Sequence, residues 1–143
     1  MEIKITRTEN SKLKDIDFSN IPFGKYTSDH MFVMDYANGQ WGNFRIIPYQ
    51  GFVLDPQSKA LQYCQCIFEG MKATMGTDGV PRLLRPNLNI DRFNLSAERM
   101  CMPAVPPDIF LQALCTFQTA LSQSIHFLGL VEKDATEEDA GGP

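Results

Sequence analysis

The side chains able to do chemistry in this sequence are few and mostly isolated. Four cysteines stand at Cys64, Cys66, Cys101 and Cys115. One residue separates Cys64 from Cys66, where zinc sites commonly have two, and Cys101 and Cys115 form no second pair. No metal site is expected, and Cys66, Cys101 and Cys115 read as small apolar packing residues. His30 and His126 have no carboxylate or thiol partner at useful spacing. His30 reads as a residue entering a strand and His126 as one at a helix end. There is no glycine-rich phosphate loop of the Walker or dinucleotide type. What stands out is a polar row at helical spacing, Asn89, Arg92, Ser96 and Arg99. Its guanidiniums offer planar, paired donors.

The elements that must position that row follow from periodicity and turn chemistry. Ile90, Phe93, Ala97 and Met100 fall at i, i+3, i+7 and i+10 and make the apolar face of one helix, over about 86–101, started at Arg85-Pro86. Pro103, Pro106 and Pro107 break the chain. A second helix over 107–125 follows, with Asp108 in its first turn. Its apolar set is Ile109, Ala113, Leu114, Phe117, Leu121 and Ile125. Upstream, Asn38-Gly39 is a hairpin turn between residues 31–36 (MFVMDY) and 41–48 (WGNFRIIP). Residues 51–54 read as a short strand, and 58–66 as able to open a short helix. Residues 69–75 read as a strand that pairs with 80–84 through the turn 76–79.

Length and charge bound the rest. At 143 residues the chain suits one domain, and 43% hydrophobic with 21% charged residues is ordinary for a globular protein. No run approaches the ~18 apolar residues of a membrane span. Lys and Arg number 13 against 17 Asp and Glu, so nucleic acid is not an expected partner. Residues 132–143 carry a net charge equal to that of the whole chain, −4. The expected organisation is an irregular arm at 1–17, one domain at 18–125 and an acidic disordered tail at 126–143. The start has neither the apolar segment of a secretory signal nor an Arg-rich targeting pattern, so a cytoplasmic setting with free thiols is expected.

One segment carries more. Tyr63, then Phe68-Glu69-Gly70-Met71-Lys72-Ala73, then Arg85-Pro86, Asn89, Arg92, Ser96-Ala97 and Arg99-Met100-Cys101-Met102-Pro103 stand at fixed spacing. This pattern resembles the branched-chain amino acid aminotransferases, pyridoxal-phosphate enzymes of fold type IV. The upstream run at 24–31 (GKYTSDHM) matches the same family, and the resemblance covers about residues 18–115. The family usually has Gly where Cys64 stands. After Phe117 the resemblance ends.

The resemblance implies an α+β fold: the small N-terminal domain of these aminotransferases, an antiparallel-rich sheet with two helices, with the large domain absent. It implies that Arg92 holds the phosphate of pyridoxal 5'-phosphate. Tyr63 and Phe68 then line the substrate pocket, and Thr27, a weaker match, falls at a further pocket position. Lys72 matches a family lysine that is not the Schiff-base residue, which implies a structural or surface role. Glu69 pairs with Lys72 or stands near a domain interface. No catalytic residue is implied in this chain, because the family's Schiff-base Lys belongs to the large domain. The implied reaction passes an amino group between leucine, isoleucine or valine and 2-oxoglutarate, in a homodimer. Two other functions stay open: a truncated, non-catalytic binding or dimerisation module, and the chemistry of the related D-amino acid aminotransferases and aminodeoxychorismate lyases. The FEGMKA and SAERMCMP blocks favour the branched-chain group over the latter.

Overall fold

Asn38 and Gly39 both take positive φ, 51° and 75°, the conformation that lets a two-residue turn follow the twist of its strands. They join β2 (His30–Ala37) to β3 (Gln40–Pro48) as an antiparallel hairpin, as the Asn-Gly turn predicts. Register slips between Val33 and Asp35, and Asn43 at φ 51° occupies the bulge. The structure is a computed structural model that describes residues 1–17, 22, 24–121 and 130–131.

The first residues depart from the expected irregular arm. Lys4–Ile5 forms β1, which pairs parallel with β3 in the sheet order β1-β3-β2, and Leu13–Asp15 makes a 3-10 turn. Two buried side chains secure this segment. His30 Nε2 accepts the Thr8 backbone N–H at 3.0 Å, and Asp29 Oδ1 accepts that of Lys12 at 2.9 Å. Burial pushes the His30 imidazole below its ordinary value of 6.5, against the pull of Asp29 and with a smaller push from Arg7. A neutral ring accepting at Nε2 carries its hydrogen at Nδ1, which is buried without a partner. His30 is thus an anchor as well as the first residue of a strand.

Residues 51–54 are not a strand: Val53 and Phe52 are exposed, and no neighbouring strand pairs with them. Lys59–Tyr63 forms the short α1, and it ends at Cys64 in the left-handed region at φ 53°. Glycine adopts that conformation freely, and a Cβ makes it costly by about 1–2 kcal/mol. Cys66–Ile67 is β4, paired antiparallel with β7 at Leu130–Val131. That pair of residues lies within the segment expected to be a tail; 126–129 and 132–143, His126 included, lie outside the described residues. The strand expected over 69–75 is shorter. Only β5 (Ala73–Met75) pairs with β6 (Pro81–Leu83), because Glu69 is taken up by another contact.

Pro86–Arg99 forms α2 and Pro107–Leu121 forms α3, close to the expected bounds; residues 122–125 are not described. Ile90, Phe93 and Ala97 bury the predicted face of α2. Among the described side chains of α3 the buried ones are Phe110, Ala113, Leu114 and Phe117, so the face is centred one residue past Ile109, which is half-buried; the side chains of Leu121 and Ile125 lie outside those described. Phe93 and Phe110 meet at 6.4 Å between ring centroids, with Ile46, Ile67, Met102 and Val105 completing the core. Asn94 bonds both the N–H and the C=O of Val105 at 2.8 Å, which fixes the connection between the helices. Trp41 Nε1 donates to Ala104 O at 2.8 Å and docks the hairpin on that connection. Past the end of α2, Cys101 turns left-handed at φ 55°, with Met102 N–H bonded to Ala97 O and Cys101 N–H to Glu98 O, a Schellman cap made without glycine. The architecture is α+β and antiparallel-rich, with β1 as its one parallel strand among the described residues.

Candidate functional site

The polar row of α2 meets the segment that follows β4. Ile67 is buried in the core, and the chain then turns so that Phe68 is 82% exposed and Glu69 is 5% exposed. Glu69 does not pair with Lys72, which is exposed. It takes Arg92, 23 residues on: Arg92 Nε donates to Oε2 at 2.8 Å, and a second guanidinium N–H donates to Oε1. Asn89 Nδ2 donates to the same Oε1 at 2.9 Å and to Gly70 O at 3.1 Å. Asn89 and Arg92 lie three apart on one helix, so both reach a single carboxylate. Ser96, next in the row, turns its Oγ back to Arg92 O at 3.1 Å.

The electrostatics follow from this geometry. The Arg92 guanidinium holds the Glu69 carboxyl below the ordinary glutamate range. Burial works against that shift, and Asn89 and the Gly70 backbone N–H assist it. Reciprocally, Glu69 raises the already high value of Arg92. The carboxylate is buried while the arginine side chain is 64% exposed. Glu69 occupies one edge of the fork, and among the described residues the Nη1 donors have no acceptor.

Arg92 and Asn89 also line a shallow hollow of about 200 Å³, together with Leu84, Arg85 and Leu88. It has two cations and no acid in its lining. It adjoins the start of α2, whose first turn carries no acidic residue and begins with Pro86. Arg85 sits at the cap position in the left-handed region, φ 48°. Unpaired guanidinium donors, a second arginine and the positive end of a fourteen-residue helix form a donor set that fits the oxygens of a phosphate monoester.

The other candidates stand elsewhere. Tyr63 is 78% exposed at the end of α1, and neither it nor Phe68 lines the hollow. Thr27 accepts a bond from Lys12 Nζ at 3.4 Å and does not line it either. Arg99, two turns beyond Arg92, is exposed and does not line it. Cys66, Cys101 and Cys115 are exposed and outside any disulfide, like Cys64, so the packing role expected for them is corrected: two sit at turns or strand edges, and the third lies off the buried face of α3. Among the described residues no group of His, Cys, Asp and Glu could hold a metal ion, and no helix is long and apolar enough to cross a membrane. Sequence reasoning missed Asn89 as a partner of Glu69, and Arg85 as part of the hollow. Both residues of the first pair lie inside the motif, but their spacing does not join them.

No protein-family model matches the chain. Curated relatives do. Branched-chain-amino-acid transaminase 1 of Bacillus subtilis (strain 168) is 48% identical over 99 residues, 68% of this chain and 28% of that protein. The branched-chain-amino-acid aminotransferase of Mycobacterium tuberculosis (strain ATCC 25618 / H37Rv) is 43% identical over 93 residues, 64% of this chain and 25% of that protein. The cytosolic one of Saccharomyces cerevisiae (strain ATCC 204508 / S288c) is 38% identical over 108 residues, 75% of this chain and 28% of that protein. The chain thus spans between a quarter and a third of the length of such relatives. Over that span the similarity bears out the resemblance read from the motif.

Proposed function

We propose that this chain is the phosphate-holding part of a branched-chain amino acid aminotransferase, acting in the cytoplasm with pyridoxal 5'-phosphate. The reaction passes an amino group between leucine, isoleucine or valine and 2-oxoglutarate. One observation carries the reading. Within the segment similar to the aminotransferases, Arg92 is held along one edge by Glu69 and lines the hollow at the start of α2. When bound, pyridoxal phosphate supplies an electron sink for amino transfer.

The chain's own residues bind and orient. The open N–H groups of Arg92 hold phosphate oxygens, while Asn89 and Glu69 hold Arg92. Tyr63 and Phe68, both exposed, wall off the branched side chain of the substrate, which needs a dry surface with few polar atoms. Thr27 adds to that wall, and the complete enzyme is a homodimer. No residue of this chain is given a catalytic role.

Pyridoxamine 5'-phosphate tests the site. It has the cofactor's phosphate and no aldehyde to react with surface lysines. Titrated into the purified chain and followed by its phosphorus resonance, it is expected to bind the parent and to bind Arg92→Ala roughly ten- to hundredfold more weakly. Equal binding by both refutes the site. Turnover of leucine and 2-oxoglutarate by these 143 residues alone is expected to be absent, because the resemblance places the Schiff-base lysine in the part of the relatives not spanned here. Turnover together with borohydride trapping of pyridoxal phosphate at a single Lys refutes that expectation.

A second reading is a non-catalytic binding or dimerisation module. It is favoured by the exposure of Tyr63, Phe68, Leu84 and Leu88. Concentration-dependent dimers in sedimentation, with no pyridoxamine phosphate bound, select it.

A further inference from the structure

Stability alone does not account for Glu69. Its carboxylate is 5% exposed, yet its charged partner is 64% exposed. Taking a carboxylate out of water is costly, and an arginine that stays largely in solvent returns little to the fold. The arrangement does something else well. Asn89 ties the carboxylate to the Gly70 carbonyl, and the carboxylate grips Arg92 at Nε and one terminal nitrogen. The long side chain is thereby held along one edge, and the same arginine lines the hollow with Leu84, Arg85, Leu88 and Asn89. An unheld arginine must be immobilised when a ligand binds, which costs affinity.

We infer that Glu69 is a positioning residue, holding Arg92 in its oxyanion-binding orientation before any ligand arrives. The inference rests on the reading of Arg92 as the phosphate residue. It is decidable because Glu69 has two opposed effects on an anion. Its charge, on the far side of the guanidinium, repels the anion, while its grip orders the donors. Positioning requires the second effect to win.

The test is a titration of inorganic phosphate into the nitrogen-15-labelled chain, followed at the side-chain Nε–H of Arg92. Arg99, on the same helix and exposed, is the internal control. In the parent chain the Arg92 Nε–H is expected to exchange slowly and that of Arg99 quickly, and phosphate is expected to move only Arg92. Glu69→Ala is expected to weaken phosphate about tenfold, which is about 1.4 kcal/mol. Glu69→Gln, which keeps an acceptor, is expected to weaken it less. Glu69→Ala placed on Arg92→Ala is expected to add nothing.

Unchanged or tighter phosphate binding in Glu69→Ala overturns the inference and leaves the phosphate site standing. So does an Arg92 Nε–H that exchanges as fast as that of Arg99 in the parent chain, a reading that needs no variant to fold. Phosphate that fails to move Arg92 in the parent chain overturns the phosphate site itself, and positioning with it.

Discussion

Two clusters in this chain are built from the same three residue types, a carboxylate, an asparagine and an arginine. In the hairpin, Arg45 forks onto Asp35 at 2.9 and 3.2 Å, and Asn43 Nδ2 donates to the same carboxylate at 2.6 Å. Beside α2, Arg92 forks onto Glu69 and Asn89 donates to it. The hairpin cluster is local, with partners eight to ten residues apart. Its members share exposure evenly, 26% for Arg45 and 33% for Asp35. The second spans 20 to 23 residues, and its exposure is lopsided, with the acid buried and the base in solvent. In the first, Arg45 Nη1 also bonds Asn43 O at 2.8 Å, across the bulge. In the second, the guanidinium stands largely in solvent, and among the described residues its Nη1 has no acceptor. The same chemical parts therefore seal a bulge in one place and present an arginine in another, and the distribution of burial decides which.

Arginine substitution gives the largest test of this contrast. Arg92→Ala is expected to weaken pyridoxamine phosphate roughly ten- to hundredfold, the size expected for charge-assisted bonds to a phosphate. Arg45→Ala and Arg99→Ala are expected to leave affinity nearly unchanged. Equal losses in a phosphorus-resonance titration erase the distinction.

Next in size is the asparagine of each cluster. Asn43 holds a left-handed backbone as well as a bond, so Asn43→Ala is expected to cost about 1–2 kcal/mol in urea unfolding. Asn89 is helical and has no such backbone burden, and Asn89→Ala is expected to cost less. The reverse order would show that the hairpin bulge is not set by Asn43.

Acid provides a third test. The folded protein holds Glu69 below its ordinary value of 4.5. The unfolded chain therefore binds a proton more readily, and the pair contributes stability that is whole above about 4.5 and fades as pH falls through the folded value. Glu69→Gln is expected to flatten that part of the stability curve. An unchanged acid limb in urea midpoints measured across pH would remove Glu69 as its source. Asp78, about half in solvent at the β5–β6 turn and pulled down to about 2 by Arg82, adds less to the same limb because solvent screens the pair, so Asp78→Asn is expected to flatten it less.

The smallest expected effect is the coupling between Asp35 and Arg45. Both are partly in solvent, and a double-mutant cycle should return about 0.5–1 kcal/mol. A much larger value would mean that the hairpin pair is as shielded as Glu69.

The sequence reveals those parts of the fold that local chemistry decides. Asn38-Gly39 specifies its turn because both positions need positive φ. Pro86 and the spacing of Ile90, Phe93 and Ala97 specify α2 because a helix buries what recurs every three or four residues. β1 was not legible: two residues pairing in parallel with a strand forty positions on have no local signature. The apolar run at 51–54 has strand-like residues but no strand edge to meet, and propensity says nothing about edges. At the candidate site, the motif contains Glu69, Asn89 and Arg92, yet nothing in their spacing joins a residue after β4 to a helix twenty positions later. Lys72 was the nearer charge, and the buried direction of Glu69 rules it out.

The parallel pairing of β1 has a consequence for how the chain is made. Met1 exchanges hydrogen bonds with Gln112 on α3, a separation of 111 residues, and β1 lies against a strand that begins at Gln40. A ribosome adding about 5–20 residues per second needs roughly 5–20 s to travel from one partner to the other. The contacts of Met1 with Gln112 therefore cannot form until α3 has been made. Loop closure of that length is slow and costs entropy before any contact repays it. During synthesis the hairpin can close early around its own cluster, while the opening residues wait for α3.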